Sequence, residues 1–180
     1  GYIHSSGTNA NYGIHGDDGN DKIYLNSGSN KYVTAGNGND YIYIASDGNT
    51  VSSTSGNNTY EIISSNNIIS GGSEKDDFIV SGNKNSINGG AGDNTYKISG
   101  NSNSISAVQG NENITINAGA DANIISGGGN PNIILNNKGT HTGTVDVPES
   151  ALPLPNNGIF GVEANKTVEL TIDGKRYSIL

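Results

Sequence analysis

One spacing runs through most of this chain: large apolar side chains recur at intervals of nine residues. The unbroken series is Ile42, Val51, Tyr60, Ile69, Phe78, Ile87, Tyr96, Ile105 and Ile114. Ile14, Ile23 and Tyr32 extend it backward, and Ile124 and Ile133 extend it forward, with one extra residue at each junction. A chain so rich in glycine, asparagine and serine is otherwise typical of disorder, but a disordered chain has no reason to keep such a register. The spacing therefore predicts a repeat fold.

The nine-residue units alternate between two kinds, so the structural period is eighteen residues. In the first kind a second aliphatic side chain follows two positions after the anchor, which places both on one face of a β-strand. These pairs are Ile23/Leu25, Ile42/Ile44, Tyr60/Ile62, Phe78/Val80, Tyr96/Ile98 and Ile114/Ile116. In the second kind that position is small: Thr34, Ser53, Gly71, Gly89 and Ala107. We expect an all-β parallel β-roll, or β-helix solenoid, in which 18-residue coils stack into two sheets around a thin core.

The pattern stops near residue 137, and the rest of the chain differs in composition. Residues 138–158 contain Pro148, Pro153 and Pro155 and are predicted to form an extended linker. In residues 159–180, apolar residues alternate on both sides of Asp173-Gly174, which predicts a β-hairpin. The β-roll is thus expected in residues 1–137, and the hairpin either caps its open end or begins another domain of a larger chain.

Charge and motif content narrow the classes of function. The formal net charge is -8, whereas nucleic acids and anionic membranes select basic surfaces, so neither is an expected partner. No apolar run is long enough to span a bilayer. The three histidines, His4, His15 and His141, share no ligand spacing, and no nucleophile or phosphate-binding motif occurs. We therefore do not expect an enzyme.

Two turns carry carboxylates in the same arrangement. Asp21 and Asp40 each lie two residues before an inward anchor and two residues after a glycine. Stacking of coils is expected to bring these carboxylates to about 4.8 Å from each other, where they repel. A divalent cation between them reverses the sign of that interaction. Calcium suits such a site, because it accepts carboxylate and carbonyl oxygens in flexible geometry.

These turns resemble the nonapeptide G-G-x-G-x-D-x-U-x of the RTX (repeats-in-toxin, hemolysin-type calcium-binding) family, in which U is a large apolar residue. Residues 16–24 and 35–43 match well, and residues 89–96 match nearly, with Asn94 at the aspartate position. The resemblance covers residues 7–136. It implies a parallel β-roll, bacterial type I secretion, a location outside the cell or on its surface, and folding triggered by extracellular calcium.

The resemblance also implies that calcium lies between successive turns on the same side, held by the aspartate and by turn carbonyls. The candidate metal residues are Gly16, Asp18, Gly19, Asp21, Gly36, Gly38, Asp40, Asn58, Asp76 and Asp93.

The aspartate position differs between the two edges of the predicted roll. Along one, the acidic edge, it is occupied by Asp21, Asp40, Asn58, Asp76, Asn94 and Glu112. Along the other, the asparagine edge, it is occupied by Asn30, Asn49, Asn67, Asn85, Asn103 and Asp121. We expect calcium at the acidic edge, and at the other edge stacked asparagines that hydrogen-bond without an ion.

The leading interpretation is a calcium-binding module of a secreted or surface RTX-type toxin or adhesin, serving as a folding and secretion scaffold and as a spacer. The alternative is an adhesion module that binds glycans or another surface through the outward side chains of Tyr24, Tyr41 and Tyr43. The competing structural interpretation is that these tyrosines cover each other's edges as cross-strand pairs.

Overall fold

The computed structural model describes residues 1–6, 13–107, 109–117, 120, 123–127, 132–135, 144–147, 168–172 and 175–179. The chain is an all-β parallel solenoid, in which coils of about 18 residues stack into about 6 turns. The predicted fold class is therefore confirmed. None of the described residues is helical, so no helix among them is long and apolar enough to cross a membrane.

Short strands alternate with turns along the whole repeat region. In chain order the strands are β1 (Tyr2–Ser6), β2 (Gly13–His15), β3 (Lys22–Ser27), β4 (Tyr32–Thr34), β5 (Tyr41–Ile44), β6 (Thr50–Ser52), β7 (Thr59–Ile62), β8 (Ile68–Ser70), β9 (Asp77–Val80), β10 (Ser86–Asn88), β11 (Thr95–Ile98), β12 (Ser104–Ala107), β13 (Asn113–Ile116), β14 (Ile124–Gly127), β15 (Asn132–Leu135), β16 (Thr144–Val147), β17 (Val168–Ile172) and β18 (Lys175–Ile179).

The strands form two sheets, to which each coil contributes one strand apiece. The odd-numbered strands from β1 to β15 form the first sheet, in chain order. The even-numbered strands from β2 to β16, followed by β17 and β18, form the second sheet. Within the roll the pairing is parallel, with Tyr60 opposite Phe78 in the first sheet and Ile69 opposite Ile87 in the second. Every strand therefore depends on the coils before and after it.

The core is a thin column of apolar side chains between the sheets. All the first-sheet pairs predicted to face inward are buried: Ile23/Leu25, Ile42/Ile44, Tyr60/Ile62, Phe78/Val80, Tyr96/Ile98 and Ile114/Ile116. In the middle of the roll the anchors are aromatic, and Phe78 stacks on Tyr60 and Tyr96 with ring centroids 4.8 and 4.9 Å apart.

Small residues on the second sheet make room for this aromatic stack. A β-carbon on Gly71 would lie 3.0 Å from Phe78 Cζ, and one on Gly89 would collide with the Tyr96 hydroxyl. In the coil of Ile42, where the anchor is smaller, the corresponding position is Ala35. The two sheets are thus matched in volume coil by coil, as close packing requires.

At two places the predicted inward residue is wrong by one position. Tyr32 is 64% exposed, whereas Val33 is 2% exposed and pairs with Ile14 and Val51. The extra residue of this coil lies between Ile23 and Asn30, because Asn30 keeps the positive-φ position that Gly48 holds in the next coil, 18 residues later. Because side chains alternate along a strand, this shift turns Tyr32 outward and places Ala35, not Thr34, in the core.

The same displacement occurs near the other end of the roll. Ile124 is 55% exposed, and Ile125 is buried opposite Ile105. Here Asn103 and Asn123, which occupy the same position in successive coils, are 20 residues apart, so two extra residues precede the second-sheet strand.

The second sheet continues beyond the predicted repeat region. Strand β16 lies within residues 138–158, where the sequence predicted a linker, and it pairs in parallel with β14. The predicted hairpin is present as the antiparallel pair β17–β18, and β17 joins the second sheet by pairing in parallel with β16. The turn residues Asp173 and Gly174, and residues 148–167, lie outside the described part of the chain.

Candidate metal centre

The acidic edge consists of the turns that lead from the second sheet into the first. Its ladder side chains are buried, each at most 3% exposed: Asp21, Asp40, Asn58, Asp76, Asn94 and Glu112. From Asp40 onward, each side chain accepts a hydrogen bond, at 2.7–2.9 Å, from the backbone N–H at the same position in the preceding coil. Asp21 Oδ1 pairs with the amino group of Gly1. The ladder fixes one oxygen of each side chain.

The asparagine edge, on the opposite side, uses the same device. Its members are Lys31, Asn49, Asn67, Asn85, Asn103 and Asn123, and each asparagine oxygen accepts the preceding backbone N–H at 2.8–3.1 Å. The predicted asparagine ladder is confirmed from Asn49 to Asn103. At its start the prediction is wrong: Asn30 is the left-handed turn residue, and the buried Lys31 takes the ladder position. At its end Asn123 takes that position, and Asp121 lies outside the described residues.

The two edges differ in the hydrogen bonding of the second polar atom of each ladder side chain, the one that does not accept the backbone N–H. At the asparagine edge the amide nitrogens donate to backbone carbonyls, for example Asn49 Nδ2 to Ser46 O at 2.7 Å and Asn85 Nδ2 to Ser64 O at 2.9 Å. At the acidic edge Asn58 does the same, donating to the carbonyls of Gly56 and Gly71 at 2.9 and 3.4 Å. Asparagine therefore satisfies both ends of its amide at this position.

Aspartate at the same position leaves its second side-chain oxygen without a hydrogen bond. Asp21 Oδ2, Asp40 Oδ2 and Asp76 Oδ2 are buried and have no hydrogen-bond partner among the described residues. An aspartate replaces the donating amide nitrogen of asparagine with an oxygen, which can only accept when ionised. A buried acceptor without a donor is costly, and a buried charge more so.

These orphaned oxygens face backbone carbonyls. A β-carbon on Gly16 would lie 2.9 Å from Asp21 Oδ2 and would collide with the carbonyl oxygen of Ala35 in the next coil. A β-carbon on Gly71 would collide with Asp76 Oδ2 and lie 2.5 Å from the carbonyl oxygen of Gly89. At both places a carboxylate oxygen and a carbonyl oxygen converge on one small space, which glycine leaves open. A cation or a proton between them is needed to make that arrangement favourable.

Burial raises the pKa values of three carboxyl groups in the ladder. Desolvation raises the pKa of Asp76 to about 7 and that of Glu112 to about 7, even though hydrogen bonds from Asn58 and Asn94, respectively, act to lower them. Desolvation also raises the pKa of Asp40, and the nearby Asp21 carboxylate acts in the same direction. The acidic edge therefore holds carboxylates whose charged form is disfavoured unless a counter-ion is supplied.

The donor set fits calcium, which takes carboxylate and carbonyl oxygens. The residues that would hold it are Asp21, Asp40 and Asp76, with the carbonyls of Ala35 and Gly89. Among the described residues no group of three or more histidine, cysteine or acidic side chains converges. An ion at this edge would therefore take most of its ligands from the backbone.

The structure separates the predicted metal residues into two groups. The first group lies at the acidic edge: Asp21, Asp40, Asn58 and Asp76 are ladder residues, Gly16 lies beside Asp21 Oδ2, and Gly19, Gly36 and Gly38 are glycines of the same turns with positive φ. Gly19 and Gly38 have φ values of 110° and 129°, and a β-carbon on Gly38 would collide with the Gly19 carbonyl.

Asp18 and Asp93 belong to the other group, because both are exposed on the outer surface of their turns. Asp18 Oδ1 accepts a hydrogen bond from Asn37 Nδ2 at 2.9 Å, and Asp93 Oδ1 accepts one from the backbone N–H of Asn111 at 2.8 Å. The sequence pattern did not distinguish these outer aspartates from the buried ones.

The three predicted ligand-binding tyrosines lie together on the outer face of the first sheet. The ring of Tyr24 has its centroid 5.8 Å from that of Tyr41 and 6.0 Å from that of Tyr43, with tilted planes. Tyr41 donates to Glu61 Oε2 at 2.6 Å, which raises the pKa of Tyr41 to about 12. All three rings are half-buried, so they cover each other while leaving part of each face open.

Comparison with family models, with curated proteins and with solved structures finds no match to this chain.

Proposed function

We propose that the acidic edge binds calcium and that the chain is a calcium-stabilised repeat module of a secreted or surface bacterial protein of RTX type, a toxin or an adhesin. One observation carries this proposal. Asp21, Asp40 and Asp76 bury an unpartnered oxygen at the position where asparagines of the same ladders place a donating amide. The role is that of a folding and secretion scaffold and a spacer, and it is not enzymatic.

Backbone hydrogen bonds would orient the aspartate side chains for an ion. The backbone N–H of Asp21 holds Asp40 Oδ1 at 2.8 Å, so the carboxylate is oriented and Oδ2 is left to bind an ion. Calcium supplies the positive charge that offsets the buried carboxylates. Because each coil packs only on its neighbours, an ion between two turns stabilises both coils at once.

Dependence on calcium suits a secreted chain. Extracellular modules bind calcium with dissociation constants of about 10⁻⁴ to 10⁻³ M. At the lower calcium concentration inside a cell the carboxylates would stay uncompensated and folding would be disfavoured. Outside, binding stabilises the folded state by mass action.

Thermal melting with and without calcium tests the proposal. We expect calcium to raise the melting temperature of the chelator-treated protein at neutral pH, and magnesium to do so much less, since magnesium demands octahedral geometry and retains its waters. The double variant Asp21→Asn/Asp40→Asn should lose most of this response at the N-terminal coils. A melting temperature and circular dichroism spectrum that calcium and chelator leave unchanged would rule the proposal out.

The tyrosine cluster supports a second candidate, contact with glycans or another surface. Tyr24, Tyr41 and Tyr43 present partly exposed rings next to Glu61, and aromatic rings with a neighbouring carboxylate suit the stacking and hydrogen bonding of sugars. A glycan array would test it: binding that Tyr24→Ala and Tyr43→Ala abolish supports the adhesion role, and the absence of any bound glycan removes it.

A further inference from the structure

The outer face of the first sheet carries a groove on strands β7, β9 and β11, far from the acidic edge in sequence position within each coil. Its volume is about 100 Å³. Asp77 lies between Thr59 and Thr95 in one outward row, so short side chains border the groove on both sides of the carboxylate. The residues that line this outer groove are Thr59, Asp77, Phe78, Ile79, Thr95 and Lys97.

The outer groove is continuous with the tyrosine cluster. Two outward rows run along the first sheet, with one residue of each row on each successive strand from β3 to β11. In strand order, the first row consists of Lys22, Tyr41, Thr59, Asp77 and Thr95, and the second of Tyr24, Tyr43, Glu61, Ile79 and Lys97. Four steps of about 4.8 Å each place Lys97 about 19 Å from Tyr24 along the roll. The tyrosines and the groove therefore form one strip.

The polar side chains of the outer groove are available to a ligand. Within the described part of the chain, the side chains of Thr59, Asp77, Thr95 and Lys97 make no hydrogen bond or ion pair. Asp77 and Lys97 carry opposite charges and are both exposed, and Ile79 is 42% exposed between them. The groove thus offers a carboxylate acceptor, an ammonium donor and two hydroxyls around an apolar surface, which is a mixed set without net charge.

We propose that the outer groove and the tyrosine cluster form one extended site for a neutral, straight glycan chain that lies along the axis of the roll. Sugar hydroxyls both donate and accept, so they can donate to Asp77 and accept from Lys97 in charge-assisted hydrogen bonds. The tyrosine rings and Ile79 offer apolar surface to the faces of the sugar rings. This inference rests on the second candidate function, contact with glycans, and adds to it the groove and the class of chain.

The charges and the geometry of the strip restrict the ligand. Glu61 and Asp77 outnumber Lys97 on the strip, and the chain as a whole has a net charge of -8, so a polyanionic glycan is disfavoured. Strands β5, β7, β9 and β11 keep one parallel register, so equivalent side chains recur once per coil in a single direction. An extended polymer can follow such rows from Tyr24 to Lys97, whereas a polymer that coils leaves the strip after a short contact.

Calorimetry on the full chain with soluble oligosaccharides tests this site. The probes are cello-oligosaccharides and N-acetylated chito-oligosaccharides of increasing length, because their β-linked units form extended ribbons. Malto-oligosaccharides, whose α-linked units coil, are the control for shape. We expect the ribbons to bind with an affinity that rises with length until the chain spans the tyrosines and Lys97, and we expect the malto-oligosaccharides not to bind. Salt should change the affinity little, since these ligands are uncharged.

Two variants test the groove itself. Lys97→Met removes the ammonium and keeps a long side chain, and we expect it to weaken binding of the longer ribbons about tenfold, as for loss of one charged hydrogen bond. Thr95→Val removes one hydroxyl at constant shape and should weaken binding less. The matched control is Lys84→Met, which removes the same charge from an exposed turn at the asparagine edge and should leave affinity unchanged. Circular dichroism checks that all three variants keep the fold.

Each result bears on a different part of the proposal. If Lys97→Met and Thr95→Val bind every ribbon as the wild type does, while Tyr24→Ala and Tyr43→Ala abolish binding, the groove is not part of the site and the second candidate function stands. Equal binding of malto-oligosaccharides would overturn the straight-chain geometry. If the wild type binds neither class of ribbon, the extended site is wrong, and a glycan array decides separately whether the tyrosines bind another sugar. Calcium-dependent melting tests the leading function independently of all these results.

Discussion

Asn58 and Asp76 occupy the same ladder position in adjacent coils, and the backbone N–H of Asn58 donates to Asp76 Oδ1 at 2.7 Å. Their second atoms behave in opposite ways. Asn58 Nδ2 donates to two carbonyls, whereas Asp76 Oδ2 is buried without a partner. The two turns thus differ by one nitrogen and one oxygen, and only the turn with the oxygen has a buried side-chain atom without a partner.

The substitution Asp76→Asn should therefore stabilise the metal-free protein. It removes a buried charge and supplies the missing donor, so we expect a gain of roughly 1–3 kcal/mol in the free energy of unfolding near pH 8. For a chain of this size, each kcal/mol corresponds to about 2–4 °C in melting temperature. The reverse variant, Asn58→Asp, should destabilise the metal-free protein because it adds a carboxylate between Asp40 and Asp76. Chelator-treated samples in which Asp76→Asn melts no higher than the wild type would contradict this reasoning.

At the asparagine edge, loss of a ladder amide should cost stability whether or not calcium is present. Asn67 accepts the backbone N–H of Asn49 at 2.8 Å and donates to Ser64 Oγ at 3.0 Å. We expect Asn67→Ala to lower the free energy of unfolding by about 2 kcal/mol, because it leaves buried groups unpaired. The control is Asn57→Ala, an exposed side chain, which should change stability by less than about 0.5 kcal/mol. A calcium-dependent effect of Asn67→Ala would show that this edge also binds ions.

The metal-free protein should lose stability as the pH rises. The pKa of Asp76 is raised from 3.8 to about 7 and that of Glu112 from 4.5 to about 7, so the folded state binds protons more tightly than the unfolded state. Their favourable contribution is complete below the unfolded pKa values and disappears as the pH rises through about 7. Urea unfolding in chelator should give a higher free energy at about pH 5 than at about pH 8, and saturating calcium should narrow the difference. Stability that is flat or rising over this interval would count against buried, uncompensated carboxylates.

The two turn glycines Gly19 and Gly38 offer a matched test of coil stacking. Both have positive φ, so alanine is strained at either position. A β-carbon at Gly19 meets no atom within 4 Å, whereas one at Gly38 collides with the Gly19 carbonyl. We expect Gly38→Ala to destabilise the protein by about 1–3 kcal/mol more than Gly19→Ala. Equal melting temperatures for the two variants would mean that the coils separate easily at this edge.

The period and the inward pairs of the first sheet could be predicted because spacing and side-chain alternation determine them together. The errors at Tyr32 and Ile124 have a common cause. Each is followed by another apolar residue, Val33 or Ile125, and the spacing alone allows the extra length of the coil to lie on either side of the anchor. Only the hydrogen bonding of the preceding turn, which buries Lys31 or Asn123, decides between the two registers.

The candidate site was predictable in position but not in its decisive property. The sequence places aspartates on one edge, yet it does not show that Asp76 Oδ2 is enclosed while Asp93 is exposed, since both lie in similar turns. The Tyr96 hydroxyl packs where Gly89 has no side chain, which is a relationship across the core between residues of different strands. A nonapeptide pattern contains no such information.

Whether the buried aspartates bind calcium can be measured in one titration. Metal-free wild-type protein and the triple variant Asp21→Asn/Asp40→Asn/Asp76→Asn are titrated with calcium in a calorimeter near neutral pH. We predict saturable binding by the wild type and none by the variant, which should remain folded because asparagine at these positions keeps the ladder hydrogen bonds. Absence of binding by the wild type, or equal binding by both proteins, would contradict it.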